Sequence, residues 1–224
     1  MPILATLDAT RRDHAPGGEQ MWSRVIALAQ TARKQIVAIA PLRVLDLEDL
    51  PADADLDVTK VLIDVSALGV SGYAVDDWLY THHRISMGLS DARHILAVIS
   101  LGTTRSDLRK LVRGLADLVK RLAAEPAMLP PVPCLPSVAT LSVEMAMTGP
   151  AAMSAPAEMV RYEAAAGRNA AEMLAPAPPG VPRLVPGQRI STEHVAWLVA
   201  NRDAGAFIMD PVDPAEATIR VVAA

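Results

Sequence analysis

The chain has 224 residues, a net charge of −4, 51% hydrophobic residues and 3% aromatic ones. That length can bury a real core, as one large domain or two small ones, and the aliphatic bias builds it from Ala, Leu, Val and Met rather than rings. Scattered Lys and Arg form no basic stripe, which removes the footprint of a nucleic-acid binder, and no uncharged run is long enough to span a bilayer.

The opening stretch Met1 to Leu7 is apolar and is followed by Asp8, Arg11, Arg12 and Asp13. It lacks the form of a signal peptide and reads like the middle of a structural element. Cys134 is the single cysteine, so no internal disulfide can form, in keeping with a reducing cytoplasm.

Behind Gly17-Gly18, the residues Met21, Trp22, Val25, Ile26, Ala29, Ala32 and Ile36 recur at three- and four-residue spacing, predicting a helix from Glu19 to Ala40 that Pro41 stops. Val61 to Val65 predicts a buried strand, followed by Gly69 and Gly72. Val75, Trp78, Leu79 and His82 share a helical face, and His94 to Leu101 predicts a second strand closed by Gly102. Thr104 with Asp107 resembles a capping box opening a third helix, whose stripe is Leu108, Leu111, Val112, Leu115, Val119 and Leu122. This order predicts a small α/β layer with helices over one sheet face.

Five prolines from Pro126 to Pro136 block both helix and central strand, so a domain boundary is placed there. Ser137 to Pro156 has mixed periodicity. Glu158 to Leu174 reads as a helix containing Gly167, and a second proline cluster from Pro176 to Pro186 reads as a rigid loop with turns at Gly180 and Gly187. Ser191-Thr192-Glu193 opens a short helix, and Ala206–Ile208 and Thr218–Val222 predict two closing strands.

Among groups that could carry chemistry, His82 and His83 are adjacent and cannot chelate one ion as an i, i+4 pair would. They suit a helix end. His94 at a strand start and His194 in a first helical turn are read as structural, and Cys134 as a small buried side chain. The alternating acids Asp53, Asp55 and Asp57 read as a solvated connector, no metal site is assigned, and no glycine-rich phosphate loop is present.

Three blocks carry a resemblance. Asp57 to Tyr73 is similar to the strand and turn that follow the catalytic lobe of the ornithine/lysine/arginine decarboxylases, and Asp91 to Gly102 resembles the next strand of the same small domain. Gly167-Arg168-Asn169-Ala170-Ala171-Glu172, then Pro178-Pro179-Gly180-Val181-Pro182 and Val185-Pro186-Gly187, resembles that family's C-terminal domain signature, and Ala5 to Arg12 is similar to the segment closing its catalytic lobe. The resemblance implies an α/β (α+β) fold: the small α/β domain of a fold-type-I pyridoxal-phosphate enzyme followed by a small C-terminal α+β domain. It divides the chain at 1–125, the end of the cofactor lobe with a linking helix and the small domain, and 126–224, the C-terminal domain.

Family enzymes hold pyridoxal phosphate on a lysine that follows a histidine. Lys34, Lys60, Lys110 and Lys120 follow Arg33, Thr59, Arg109 and Val119 instead, so the resemblance implies a separate cofactor lobe, no cofactor on this chain alone and no catalytic residue within it. Within that frame Thr6 is either a group reaching a cofactor phosphate or an ordinary buried strand-end threonine. Glu163 and Arg168, five residues apart on the expected helix, form an ion pair or cap, or contact substrate. Pro178, Pro179 and Gly180 are expected at the substrate mouth. The family usually has an aromatic where this chain has Ala177, an acid where it has Gln188, an apolar residue at Asn169 and an acid at Gly88. The implied partner is a cofactor-binding lobe or a homologous decarboxylase subunit in a homo- or hetero-oligomer, with no nucleic acid and no membrane. The alternatives are a non-catalytic regulator that binds a full-length homologue, or a truncated remnant.

Overall fold

A computed structural model describes residues 2–137, 141, 144–177, 180–209 and 211–223. The chain opens on helix α1 (Pro2–His14), none of whose residues is buried, and continues into α2 (Gly18–Val37). Val25, Ala29, Ala32 and Ile36 form the buried stripe of α2, as their spacing predicts, while Trp22 and Ile26 remain exposed.

Four short strands make one antiparallel sheet in the order β1 (Arg43–Val44), β2 (Lys60–Asp64), β4 (His94–Val98) and β3 (Leu89–Ser90). In the β2–β4 register Ile63 faces Ile95 and Asp64 faces His94. Alternation therefore sends Val61, Ile63, Ile95 and Ala97 into the core and leaves Asp64 and His94 on the open side.

Helices α3 (Gly72–His83) and α4 (Arg105–Ala124) join α2 in one hydrophobic cluster with the buried residues of β2 and β4. Thr104 and Asp107 form the reciprocal cap of α4, and Leu108, Leu111, Leu115, Leu118 and Leu122 are its buried stripe. Gly114 lets α4 approach closely, since a Cβ there would lie 3.1 Å from Leu79 Cδ2 and 3.2 Å from Ile85 Cδ1.

Beyond the proline run, a second cluster gathers Leu174, Leu184, Ile190, Leu198, Ile208 and Ile219 among its fully buried members. Its elements are short: α5 (Gly149–Ser154), β5 (Ala157–Arg161), β6 (Ala175–Ala177), α6 (Thr192–Asp203), β7 (Phe207–Met209) and β8 (Thr218–Val222). β5 pairs antiparallel with β8, and β6 with β7. Ser191 caps α6, its Oγ accepting from the His194 amide at 3.2 Å.

The helix expected over Glu158–Leu174 does not form. Val160 sits in β5 opposite Ile219, Tyr162–Ala164 is a single 3-10 turn, and Gly167 takes a left-handed φ of +83°. The helical preference of the alanines there yields to strand pairing with a segment about sixty residues away. Cys134 is exposed rather than buried, because the proline-rich segment around it forms no helix or strand and runs across the surface.

The two clusters are tied through α3 and α6. Ser71 caps α3, accepting from the Ala74 amide, and its hydroxyl also donates to the Ala204 carbonyl at 2.6 Å. Tyr73 Oη donates to Asn201 Oδ1 at 3.2 Å, and Ser71 and Asn201 are both fully buried.

Candidate functional site

Where the two clusters meet, a cleft of about 320 Å³ opens between the start of α3, the turn before β4, the proline loop and α6. Tyr73, Asp91, Arg93 and His94 line it from one side, and Pro176, Val181, Arg183, Trp197 and Asn201 from the other.

Asp91 shapes the first wall. Its Oδ1 accepts the backbone N–H groups of Arg93 and His94, each at 2.7 Å, and His94 Nδ1 lies 3.1 Å from both carboxylate oxygens. Burial resists ionisation of Asp91, but the hydrogen bonds from His94 and the two amides outweigh it and hold the carboxyl below its usual range. His94 is shifted upward, chiefly by its hydrogen bond to Asp91, with burial opposing and the charges of Asp91 and Asp64 adding. Tyr73 is pushed up to about 12 by burial and by the Asp91 charge, so it stays a neutral phenol.

The second wall is aromatic and cationic. Trp197 is buried, and the Arg183 guanidinium lies over its ring at 5.7 Å from the centroid. Asn201 donates to the Trp197 carbonyl at 2.8 Å while accepting from Tyr73, so its amide is committed to holding the walls together.

The residues singled out in the sequence lie mostly elsewhere. Thr6 is an exposed helical residue of α1, not a buried strand end, and its hydroxyl donates to the Pro2 carbonyl at 2.9 Å. Glu163 and Arg168 do not pair: without the helix their spacing has no meaning, and Glu163 meets Arg161 at 3.4 Å while Arg168 bonds Glu158 and the Val222 carbonyl. Pro178 and Pro179 lie outside the described residues. Gly180 has a φ of +78°, and a Cβ on it would meet Met209 Sδ at 2.7 Å; its neighbours Pro176 and Val181 line the cleft.

Tyr73, Asp91, Arg93, Arg183, Trp197 and Asn201 were not singled out, and His94 was read as structural. Asp91 accepts the amide of Arg93 two residues on, the Asx-turn spacing, and an aspartate just before a strand start is a signal available in the sequence. The meeting of Arg183 with Trp197 has no such local sign. Gln188, which stands where the family usually has an acid, is buried; its Oε1 accepts the Val185 amide at 3.2 Å and its Nε2 lies 3.3 Å from His194 Nε2. Burial shifts His194 downward.

The chemistry of the described residues does not fit a Schiff-base cofactor. Lys34, Lys60, Lys110 and Lys120 are all exposed and none lines the cleft; Lys60 meets Asp57 at 3.8 Å and Lys110 donates to the Arg84 carbonyl at 3.2 Å. No cluster of three or more His, Cys, Asp or Glu suited to a metal occurs among the described residues, and no described helix is long and apolar enough to cross a membrane.

Residues 137–206 match the family described as Orn/Lys/Arg decarboxylase, C-terminal domain. The chain is 37% identical over 225 residues to the arginine decarboxylase of Halalkalibacterium halodurans, an alignment covering 98% of this chain and 45% of that protein. The chain belongs to the Orn/Lys/Arg decarboxylase family. A second family member, the arginine decarboxylase of Bacillus subtilis, is 30% identical over 229 residues, again 98% of this chain and 45% of that one. The chain thus spans less than half the length of the curated family members it matches. The Escherichia coli constitutive lysine decarboxylase shares the fold, with a TM-score of 0.68 at 18% identity over 99% of this chain and 43% of that one. The family's C-terminal signature therefore falls on the second hydrophobic cluster, and Val181, beside Gly180, lies on the rim of the cleft.

Proposed function

We propose that this chain supplies the C-terminal portion of a pyridoxal-phosphate-dependent decarboxylase of ornithine, lysine or arginine, and takes part in catalysis only when joined to a lobe that binds the cofactor. The observation that carries this reading is the alignment that fills 98% of this chain and 45% of its relative. The exposed positions of all four lysines support placing the cofactor's anchor elsewhere. When bound, the cofactor supplies the electron sink for loss of the substrate carboxylate.

The same reading divides the chain into 1–125, with the small α/β domain, and 126–224, the C-terminal domain, and the two hydrophobic clusters on either side of the proline run support that division. It sets Pro178, Pro179, Gly180, Glu163 and Arg168 at the substrate mouth, and makes Thr6 a cofactor-phosphate contact once its hydroxyl leaves the Pro2 carbonyl. Exposed apolar residues on α1, namely Ile3, Leu4 and Leu7, supply surface for docking a lobe or a second subunit.

A chimera tests this directly: the aligned portion of the H. halodurans arginine decarboxylase is replaced by this chain, and visible cofactor absorbance and decarboxylation of arginine, lysine and ornithine are measured. The expected result is cofactor colour in the chimera, none in the isolated chain with added cofactor, and turnover of one of the three substrates. Colour in the isolated chain, or a cofactor-loaded chimera inert on all three, overturns the reading.

A further inference from the structure

Arginines of the second cluster are mostly neutralised. Arg161, Arg168, Arg189 and Arg202 each contact a carboxylate, from Glu163, Glu158, Glu144 and Asp203 respectively. Arg93 and Arg183 differ: both line the same cleft, and neither has a carboxylate partner among the described residues. The acid that shares the cleft, Asp91, is already committed to two backbone amides and the His94 ring. Asp64, on the far side of His94, is committed through its Oδ1 to the Ser66 amide and hydroxyl at 2.8 and 2.6 Å.

We propose that the cleft binds a compact anion, a phosphate or a carboxylate, between the guanidinium groups of Arg183 and Arg93.

The Trp197 ring holds the Arg183 guanidinium by one face, which leaves its N–H edge for a planar or tetrahedral oxyanion. Leu135, Pro176 and Val181 make the remaining wall apolar, so a charge-assisted hydrogen bond there is screened less than on open surface. Charge balance points the same way. Asp91 with a protonated His94 is neutral and with a neutral His94 carries one negative charge, so the two guanidinium groups leave the cleft positive in either state. Its volume of about 320 Å³ lies at the small end of metabolite sites, which suits a compact anion rather than a polymer. The proposal concerns this chain's own residues and stands or falls independently of whether a cofactor lobe joins it.

The test uses the intact chain in titration calorimetry with inorganic phosphate and with succinate, at constant ionic strength set by chloride. At least one of the two is expected to bind, and the tighter one identifies the oxyanion. Arg183→Gln and Arg93→Gln are each expected to weaken binding by about tenfold or more, the loss of one charge-assisted contact. Arg183→Lys, which keeps the charge but loses the fork, should fall between, and Arg161→Gln, on an exposed ion pair away from the cleft, should leave binding unchanged. Thermal melts of all variants are run beside the titrations, so a variant that unfolds is replaced by its lysine counterpart. Absence of binding by both anions above the chloride background overturns the proposal, and so does binding that survives both glutamine substitutions.

Discussion

The two hydrophobic clusters reach stability by different routes. In the first, helices of up to 20 residues lay unbroken aliphatic stripes on a four-stranded sheet, and hydrogen bonds inside the elements satisfy most of the backbone. In the second, among the described residues, the helices have 12 residues at most and each ladder has only two strands, so many backbone groups lie outside regular pairing. Polar side chains fill that gap: the buried Glu172 accepts the Val212 amide at 2.9 Å and the Arg220 amide at 2.5 Å, the buried Gln188 accepts from Val185, and the half-buried Arg168 donates to the Val222 carbonyl. The proline-rich second cluster, with its two-stranded ladders, draws on specific polar ties where the layered first cluster draws on packed volume.

Leu115→Ala is expected to be the most damaging single change considered, because the fully buried Leu115 leaves a cavity where α4 packs against α2 and α3. A loss of about 3 kcal/mol is expected from denaturant midpoints. Glu172→Ala should cost about 2 kcal/mol while removing little apolar volume, since it orphans two amides in a half-buried setting. A loss under about 0.5 kcal/mol would break the claim that polar ties hold the second cluster.

Asn169→Val should act in the opposite direction. Its Oδ1 is buried without a partner among the described residues, at a position where the family usually has an apolar side chain. A gain of about 1 kcal/mol is expected, read as a higher denaturant midpoint.

The smallest effects are in pH dependence, and the two regions should differ in sign. His94, raised in the folded state, contributes stability that is fully present below the ordinary histidine value near 6.5 and is lost as pH rises through its folded value. Asp91, lowered, adds stability present above its unfolded value and lost as pH falls through its folded one. His194, lowered by burial, is stabilising when neutral, so its contribution is lost as pH falls through its depressed value. Unfolding series from pH 5 to 9 should show His94→Gln flattening the alkaline limb and His194→Gln the acid limb. The His94 effect should be a few tenths of a kcal/mol, since its ring and Asp91 are partly solvated.

Much of the first cluster was legible in the sequence. The spacing of Val25, Ala29, Ala32 and Ile36, the run Val61 to Val65 and the Thr104–Asp107 cap all act over distances shorter than their own elements, so local pattern and final structure agree. Glu158–Leu174 was misread for the reverse reason. Its conformation depends on Ile219 and Val221, and no local pattern reports a partner that distant. The candidate cleft was half legible: its proline rim is visible in sequence, but Tyr73, Asp91 and His94 meet Arg183, Trp197 and Asn201 only because Ser71 and Tyr73 fasten α3 to α6.

The sequence by itself determined the decarboxylase-family kinship, the helices with unbroken apolar stripes, and the turns at Gly180 and Gly187, because each is written in neighbouring residues. Tertiary structure alone decided that Glu163 and Arg168 take separate partners, that Thr6 is helical and exposed, and that two arginines face a shared cleft without carboxylates to answer them. Ion pairing and burial depend on which surfaces meet, and the walls of the cleft are brought together from Tyr73–His94 on one side and Pro176–Asn201 on the other.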